Sequence, residues 1–187
     1  MNPALELPPA RDLAQLTGAQ LEQILNRIFE HSAAIAPHLT GQAFSDWSQV
    51  IASAATVIAG MSPSEQLELL RGHARIGEDP RRLKALSEAS FQEQRTQEAD
   101  GIRATMLILG QRYEEHFGFP FVEFVAGRPL ADIVPVIRQR MQHSPDFERA
   151  TGLAAIVAIA GDRATRWSTA DPTPTPTQSA LTAKDET

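Results

Sequence analysis

Three sites in this chain carry polar residues whose types and positions are suited to chemistry. The first is an arginine on an apolar stripe. Arg163 follows Ile159 by four residues and Ala160 by three, so a helix here places its guanidinium on the inner face. A buried guanidinium needs an anionic partner. Either the side chain pairs with a protein carboxylate or reaches solvent at the helix end, or its planar fork binds a ligand carboxylate or urea oxygen.

A histidine at the end of a predicted helix is the second candidate. His73 directly follows a helix that the capping pattern of residues 62–65 opens and Gly72 ends, and the C-terminal end of a helix dipole favours imidazolium. Such a histidine suits a general acid near neutrality, although it can also simply cap the helix. The remaining histidines lack the spacing of metal ligands and are predicted to be structural or exposed; they are His31, His38, His116 and His143.

The third group is a serine, a glutamate and a glutamine at helical spacing. Ser90, Glu93 and Gln94 stand at positions i, i+3 and i+4, so a helix presents all three on one side. Such a trio is common on solvated surfaces. It can also hydrogen-bond a flat heterocycle rich in N–H and C=O groups.

The elements that must position these side chains are helices. Apolar residues recur at three and four positions, and capping residues or prolines precede several of the stretches. The pattern predicts helices over residues 17–29, 47–58, 62–72, 83–97, 101–116, from 129 onward and from 144 to 167. Pro135 inside the sixth helix predicts a kink or a late start. Residues 119–125 are predicted to be extended.

These elements indicate an all-α, single-domain helical bundle with one extended segment near residues 119–125. We expect an N-terminal lead over residues 1–14, the helical domain over 15–167 and a Pro- and Thr-rich tail over 168–187. The tail alternates prolines with threonines and has too little apolar surface to order itself.

Composition excludes several classes of function. The chain has 187 residues, no cysteine and a formal net charge of -6. It therefore lacks the excess of basic residues that binding to nucleic acid or to an anionic membrane requires. Without cysteine it cannot form thiolate sites. No apolar run is long enough to cross a membrane, and the N-terminus lacks the pattern of a signal peptide. We therefore expect a cytoplasmic protein whose partners are small molecules or proteins, with neither nucleic acid nor membrane.

Four motifs in order resemble a known family. They are His73-Ala74-Arg75-Ile76-Gly77, Ser90-Phe91-Gln92-Glu93-Gln94, the block from Tyr113 to Phe121 that ends in Phe-Gly-Phe-Pro-Phe, and Ile159-Ala160-Gly161-Asp162-Arg163. Together they resemble the signature of the 2-oxo-4-hydroxy-4-carboxy-5-ureidoimidazoline (OHCU) decarboxylases. The resemblance covers roughly residues 15–167 and includes Phe29-Glu30-His31-Ser32 at the exit of the first helix.

The resemblance implies a cofactor-independent, all-helical and usually dimeric enzyme that converts OHCU to (S)-allantoin, the last step from urate to allantoin. It implies that His73 donates the proton and that Glu93 and Arg163 are catalytic, with no metal site. The substrate-binding residues that it implies are Ala74, Ser90, Phe91, Gln92, Glu93, Gln94, Phe121, Val122, Glu123, Phe124, Val125 and Arg163.

Two positions depart from the family pattern. Ala74 stands where a proline usually follows the histidine, which frees the backbone beside His73, and Gly110 stands where an asparagine is usual. These departures leave three alternatives open. The chain could act on another ureido heterocycle, bind a metabolite without catalysis, or be a helical scaffold with no ligand.

Overall fold

The amphipathic segments form helices in the computed structural model, which describes residues 6–77 and 100–168. A 3-10 helix spans Ala10–Gln15. The α-helices are α1 (Gly18–Phe29), α2 (Ala36–Leu39), α3 (Trp47–Gly60), α4 (Pro63–Arg71), α5 (Asp100–Phe117), α6 (Leu130–Arg140) and α7 (Pro145–Trp167). The described ranges contain no β-strand beyond an isolated bridge between Leu7 and Ser168. The predicted all-α class is confirmed.

Side chains cap the starts of α1, α3 and α4. Thr17 and Gln20 form a reciprocal capping box at α1, and Ser62 and Glu65 form another at α4. Asp46, which the pattern did not single out, caps α3. Its hydrogen bonds, first from Ser48 and then from the Gln49 N–H, lower the pKa of the Asp46 carboxyl from 3.8 to about 2.

The long helix α7 lies at the centre of the bundle. It packs against α1, α3 and α4, and its buried face includes the predicted stripe of Ile156, Ile159, Ala160, Arg163 and Trp167. Gly152 marks the close crossing with α4, because a Cβ there would lie 2.8 Å from Leu70 Cδ2. This crossing brings the C-terminal end of α4 beside α7.

Pro135 predicted a kink or a late start of α6, and the late start is wrong. The helix begins at Leu130 and continues through Pro135. Proline removes the hydrogen bond to the carbonyl four residues earlier, here that of Ala131. Both Ala131 and Pro135 are exposed, so water can satisfy that carbonyl and the helix continues.

Residues before the first predicted helix also contribute to the core. Leu7, Ala10 and Leu13 are buried in the same hydrophobic cluster as α1 and α7. The Leu7 N–H donates to the Trp167 carbonyl at 2.8 Å, which joins the two ends of the described chain. The short helices Ala10–Gln15 and α2 were not predicted, because each is too short to show a helical period.

None of the helices within the described ranges combines the length and the apolar character that crossing a membrane requires. The predicted helix over residues 83–97, residues 1–5 of the lead and residues 169–187 of the tail lie outside the described residues.

Candidate functional site

A cavity of about 380 Å³ lies where the end of α4, the segment 122–127 and the C-terminal half of α7 meet. Its volume falls within the range of small-molecule sites. The predicted site residues that line it are His73, Ala74, Val122, Glu123, Phe124, Val125 and Arg163. Three elements distant in sequence therefore bring these seven residues together.

His73 is buried, and one of its ring nitrogens has no hydrogen-bond partner among the described residues. It follows Gly72, the C-cap of α4. Its Nδ1 lies 3.2 Å from Oε2 of Glu30, with side chains 4% and 6% exposed respectively. Its Nε2 is buried and has no hydrogen-bond partner within the described part of the chain. A buried imidazole in this arrangement can exchange a proton with a ligand through Nε2.

Glu30 is a site residue that the sequence analysis did not identify. It is the C-cap of α1, and its φ is 62°. Its carboxylate accepts hydrogen bonds from the Ala74 N–H at 3.1 Å and from Arg163 Nη2 at 2.9 Å. One signal was available in the sequence, since a carboxylate at the C-terminal end of a helix opposes the helix dipole.

The Ala74 contact gives the departure from the family pattern a structural consequence. A proline has no N–H to donate, whereas Ala74 donates its N–H to Glu30 Oε2. The other departure, Gly110, lies inside α5 and so caps no helix end.

Arg163 is 1% exposed and is held by the end of α1. Its Nη1 donates to the Ile28 carbonyl and its Nη2 to Glu30 Oε1, each at 2.9 Å. An internal carboxylate partner, one of the two interpretations of its position, is therefore present. Arg163 also lines the cavity, so a ligand can approach the same side chain.

Two arginines hold the wall formed by residues 122–125. Arg140 Nη1 donates to the Val122 carbonyl and to Glu123 Oε2, both at 2.8 Å. Arg128 donates to Glu123 Oε1 at 2.7 Å and to the Val125 carbonyl at 3.0 Å. The Glu123 carboxylate is thus shared between two guanidiniums, and the wall is fixed by charged hydrogen bonds.

A buried carboxylate supports that wall from behind. Glu148 is fully buried, and its Oε1 accepts from Arg140 Nε at 2.7 Å and from the Tyr113 hydroxyl. Its Oε2 lies 2.7 Å from His143 Nδ1. Burial raises the pKa of Tyr113, and the Glu148 hydrogen bond and charge raise it further. Burial alone would lower the pKa of Arg140, but the hydrogen bond and charge of Glu148 raise it overall.

The remaining predicted site residues lie elsewhere. Phe121 is absent from the cavity lining and packs against Tyr113, with ring centroids 5.1 Å apart. Five predicted residues, Ser90, Phe91, Gln92, Glu93 and Gln94, lie outside the described residues. Among the described residues, no group of three or more histidine, aspartate or glutamate side chains is placed to hold a metal ion.

Comparison with known proteins gives consistent matches over most of the chain. A family model described as OHCU decarboxylase matches residues 14–165. The chain is 31% identical over 138 residues to the 2-oxo-4-hydroxy-4-carboxy-5-ureidoimidazoline decarboxylase of Haloferax volcanii, covering 71% of this chain and 80% of that protein. It is 29% identical over 154 residues to the uric acid degradation bifunctional protein PucL of Bacillus subtilis, covering 80% of this chain. The match spans only 30% of the length of that bifunctional protein.

Two solved structures share the fold. The crystal structure of (S)-allantoin synthase matches with a TM-score of 0.65 at 23% identity, covering 84% of this chain and 53% of that one. The crystal structure of OHCU decarboxylase in the presence of (S)-allantoin matches with a TM-score of 0.59 at 18% identity, covering 72% of this chain and 90% of that one. At these identities the two structures establish the fold alone.

Proposed function

Because this chain belongs to the OHCU decarboxylase family, we propose that it decarboxylates 2-oxo-4-hydroxy-4-carboxy-5-ureidoimidazoline to (S)-allantoin, the last step from urate to allantoin. The observation that carries the proposal is the buried His73 on the cavity wall, with Nε2 lacking a partner among the described residues. A proton donor at a cavity of this size is what the reaction requires from the protein.

The substrate supplies its own electron sink. One ring carbon bears both a hydroxyl and a carboxylate and lies beside a C=N bond. When the carboxylate leaves as carbon dioxide, its bonding electron pair forms a C=C bond to the adjacent carbon, and the C=N pair moves to the ring nitrogen, which takes up a proton. Protonation of the adjacent carbon of this enol-like intermediate on one face, with loss of the hydroxyl proton to leave a carbonyl, then gives a single enantiomer of allantoin. The protein must orient the carboxylate, stabilise the developing charge and deliver that proton.

The proposed roles rest on the family resemblance, and the cavity lining supports those of His73 and Arg163. His73 protonates the intermediate through Nε2, and Arg163 with the backbone of residues 122–125 holds the anionic groups. Glu93 and Gln94 bind the ureido and ring nitrogens; both lie outside the described residues. No metal or prosthetic group enters the proposed steps.

The test is to generate the unstable substrate in situ from urate and follow the circular dichroism of the allantoin formed. Rapid formation of one enantiomer with the protein supports the proposal. Racemic product that forms as slowly as it does without protein contradicts the proposal. That result would favour another ureido heterocycle as the substrate, or metabolite binding without turnover.

A matched pair of variants assigns the proton donor. His73→Ala removes the imidazole at the cavity and is expected to lower kcat by about 100-fold or more, since a positioned general acid contributes roughly 10²–10⁴. His38→Ala alters an exposed histidine and should leave kcat unchanged. Far-UV circular dichroism of both variants checks the fold. Unchanged stereospecific turnover by His73→Ala would remove His73 from its role.

We further propose that the enzyme acts in the cytoplasm as a homodimer. The family resemblance supports a dimer, and α5 carries two large apolar side chains at the surface, Leu107 and Ile108, which are 37% and 52% exposed. Light scattering after gel filtration tests this assembly, and a monomer mass across the working concentration range would contradict it.

A further inference from the structure

We propose that Glu30 is a positioning residue that fixes the orientation and proton placement of His73, and that Arg163 and the Ala74 N–H hold Glu30 for that task. The catalytic part of this inference rests on the proposed function. The arrangement itself can be tested in the protein without substrate.

The two oxygens of the Glu30 carboxylate have separate partners. Oε2 lies 3.2 Å from His73 Nδ1 and accepts from the Ala74 N–H at 3.1 Å, while Oε1 accepts from Arg163 Nη2 at 2.9 Å. Arg163 also binds the carbonyl of Ile28, two residues before Glu30. Both oxygens of the carboxylate are therefore held, Oε1 by Arg163 of α7 and Oε2 by the residues that follow α4.

The positive φ angle at Glu30 indicates that this residue has a function. Positive φ angles are uncommon for residues with a Cβ, and the described non-glycine residues that adopt one are Glu30 (φ 62°) and Ala126 (φ 51°). Ala126 lines the cavity, and the Glu30 carboxylate contacts three residues that line it. Strained backbone tends to cluster at functional sites.

Helix geometry alone would favour a different residue at this position. Glycine or asparagine is preferred where a helix ends at positive φ, and a negative charge at a helix C-terminus opposes the dipole. Glu30 is unfavourable on both counts. The ion pair with buried Arg163 and the contact with His73 are what the carboxylate provides in return.

The chemical consequence concerns which nitrogen of His73 carries the proton. A carboxylate beside Nδ1 favours a proton on that atom. In the neutral ring Nε2 is then the bare nitrogen, and in the imidazolium Nε2 carries the proton that faces a ligand. After Nε2 has given its proton to the intermediate, the neutral ring keeps the proton on Nδ1 beside Glu30, and Nε2 takes its next proton from solvent once the product has left; Arg163 balances the carboxylate charge. The other charged side chains at this cavity are Glu123, Asp162 and Arg166.

The decisive variant is Glu30→Gln, which keeps the shape of the side chain. Its amide oxygen best satisfies Arg163, which leaves the NH₂ group facing His73 Nδ1, so the neutral ring should switch to a proton on Nε2. Long-range NMR correlations of isotope-labelled imidazole nitrogens in the full chain report this tautomer directly. His73→Gln identifies the His73 signals. We expect an Nδ1–H tautomer in the wild type and its loss in Glu30→Gln.

Kinetics provide a second readout. Glu30→Gln should lower kcat by about 100-fold, because the imidazolium that donates the proton loses the carboxylate beside its Nδ1, and with it most of the roughly 10²–10⁴ that general acid catalysis contributes. KM should change by less than about threefold. Glu68→Gln makes the same chemical change on the exposed face of α4 and serves as the control with unchanged kcat. Glu30→Asp, which retains the charge, should recover part of the lost rate.

The outcomes separate this inference from the proposed function. An Nε2–H tautomer in the wild type, or an unchanged His73 signal in Glu30→Gln, overturns the positioning role whatever the turnover. A wild type that does not act on the substrate but shows the expected tautomer switch overturns the proposed function alone. If both variants at position 30 lose the fold by far-UV circular dichroism, a wild-type His73 signal of the Nδ1–H form still decides the proton placement.

Discussion

At the scale of single residues, Arg163 connects the cavity to the packing of α7 against α1. Its guanidinium is buried on the inner face of α7 and bridges a backbone carbonyl and the Glu30 carboxylate. Desolvating an ion pair is costly, and removing one partner leaves the other charge buried without compensation. Arg163 therefore contributes to the stability of the α1–α7 contact as well as to the cavity.

Arg163→Met should reduce the free energy of unfolding by about 3 kcal/mol, the lower end for a broken buried ion pair. Arg166→Met is the matched control on the same helix, since Arg166 is 45% exposed and pairs with Asp162 at the surface, where such pairs contribute less than about 1 kcal/mol. Urea denaturation of both variants measures the difference. Equal losses of unfolding free energy in the two variants would show that the buried ion pair stabilises the protein no more than the surface pair does.

Residue roles were only partly predictable from the sequence. The apolar spacing around Arg163 predicts its burial, because periodicity along one helix is a local property. The place of Glu30 depends on three elements meeting in space, and no local pattern carries that information. The positive φ at Glu30 also contradicts the usual preference for glycine at a helix end, so local rules pointed away from it.

At the scale of elements, the junction between α4 and the loop after α1 positions His73. Gly72 has an ordinary φ of -70°, so it is not needed for backbone freedom. A Cβ there would lie 2.5 Å from His31 Cγ and 2.8 Å from His31 Cβ. Glycine is required because the two chain segments that carry His73 and Glu30 approach too closely for any side chain.

Gly72→Ala should therefore force these segments apart, with a loss of about 1–3 kcal/mol in unfolding free energy, as for overpacked cores, and a fall in kcat. Gly60→Ala is the control, since a Cβ at Gly60 meets nothing within 4 Å among the described residues. Alanine is also more favourable than glycine in a helix, by up to about 1 kcal/mol. Thermal melting and the allantoin assay measure the two effects. A Gly72→Ala protein as active and stable as Gly60→Ala would contradict the close-approach argument.

Helix boundaries were the more predictable part of the element scale. Ser62, Pro63 and Glu65 mark the start of α4 through local hydrogen bonds, and the structure has the helix there. The late start that Pro135 suggested for α6 was wrong. The free-energy cost of a proline inside a helix depends on whether the carbonyl left without a hydrogen bond is exposed to water, and only the packed structure decides that.

At the scale of the whole molecule, Glu148 joins three helices and the cavity wall. Tyr113 of α5 and Arg140 of α6 both bind this carboxylate of α7, and Arg140 continues to Val122 and Glu123. Breaking such a network would leave the buried Glu148 carboxylate unpaired, which is costly at low dielectric. We therefore expect the three helices to unfold together.

The single tyrosine of the chain makes this expectation measurable. Burial, and then the hydrogen bond to Glu148, raise the pKa of Tyr113 above its usual 10.0. A raised pKa in the folded state gives stability that is complete below pH 10 and is lost as the pH rises above it, by at most about 1.4 kcal/mol per pH unit. Tyrosinate absorbance above pH 10 should therefore appear only as the protein unfolds.

Tyr113→Phe supplies the comparison for this titration. It lacks the ionisable group, so its unfolding free energy should change less with pH above 10 than that of the wild type. Tyrosinate absorbance in the fully folded wild type near pH 10 would show that the hydroxyl is not bound to Glu148 as described.

The arginine-held wall of the cavity has a consequence for the thermodynamics of ligand capture. Residues 122–125 are already fixed by Arg128 and Arg140 before any ligand arrives. Immobilising a flexible segment on binding costs conformational entropy, and a segment that is ordered in advance avoids that cost. Calorimetry on this protein should therefore find little entropic penalty from this side of the cavity, because Arg128 in the adjoining loop and Arg140 at the end of α6 already hold it.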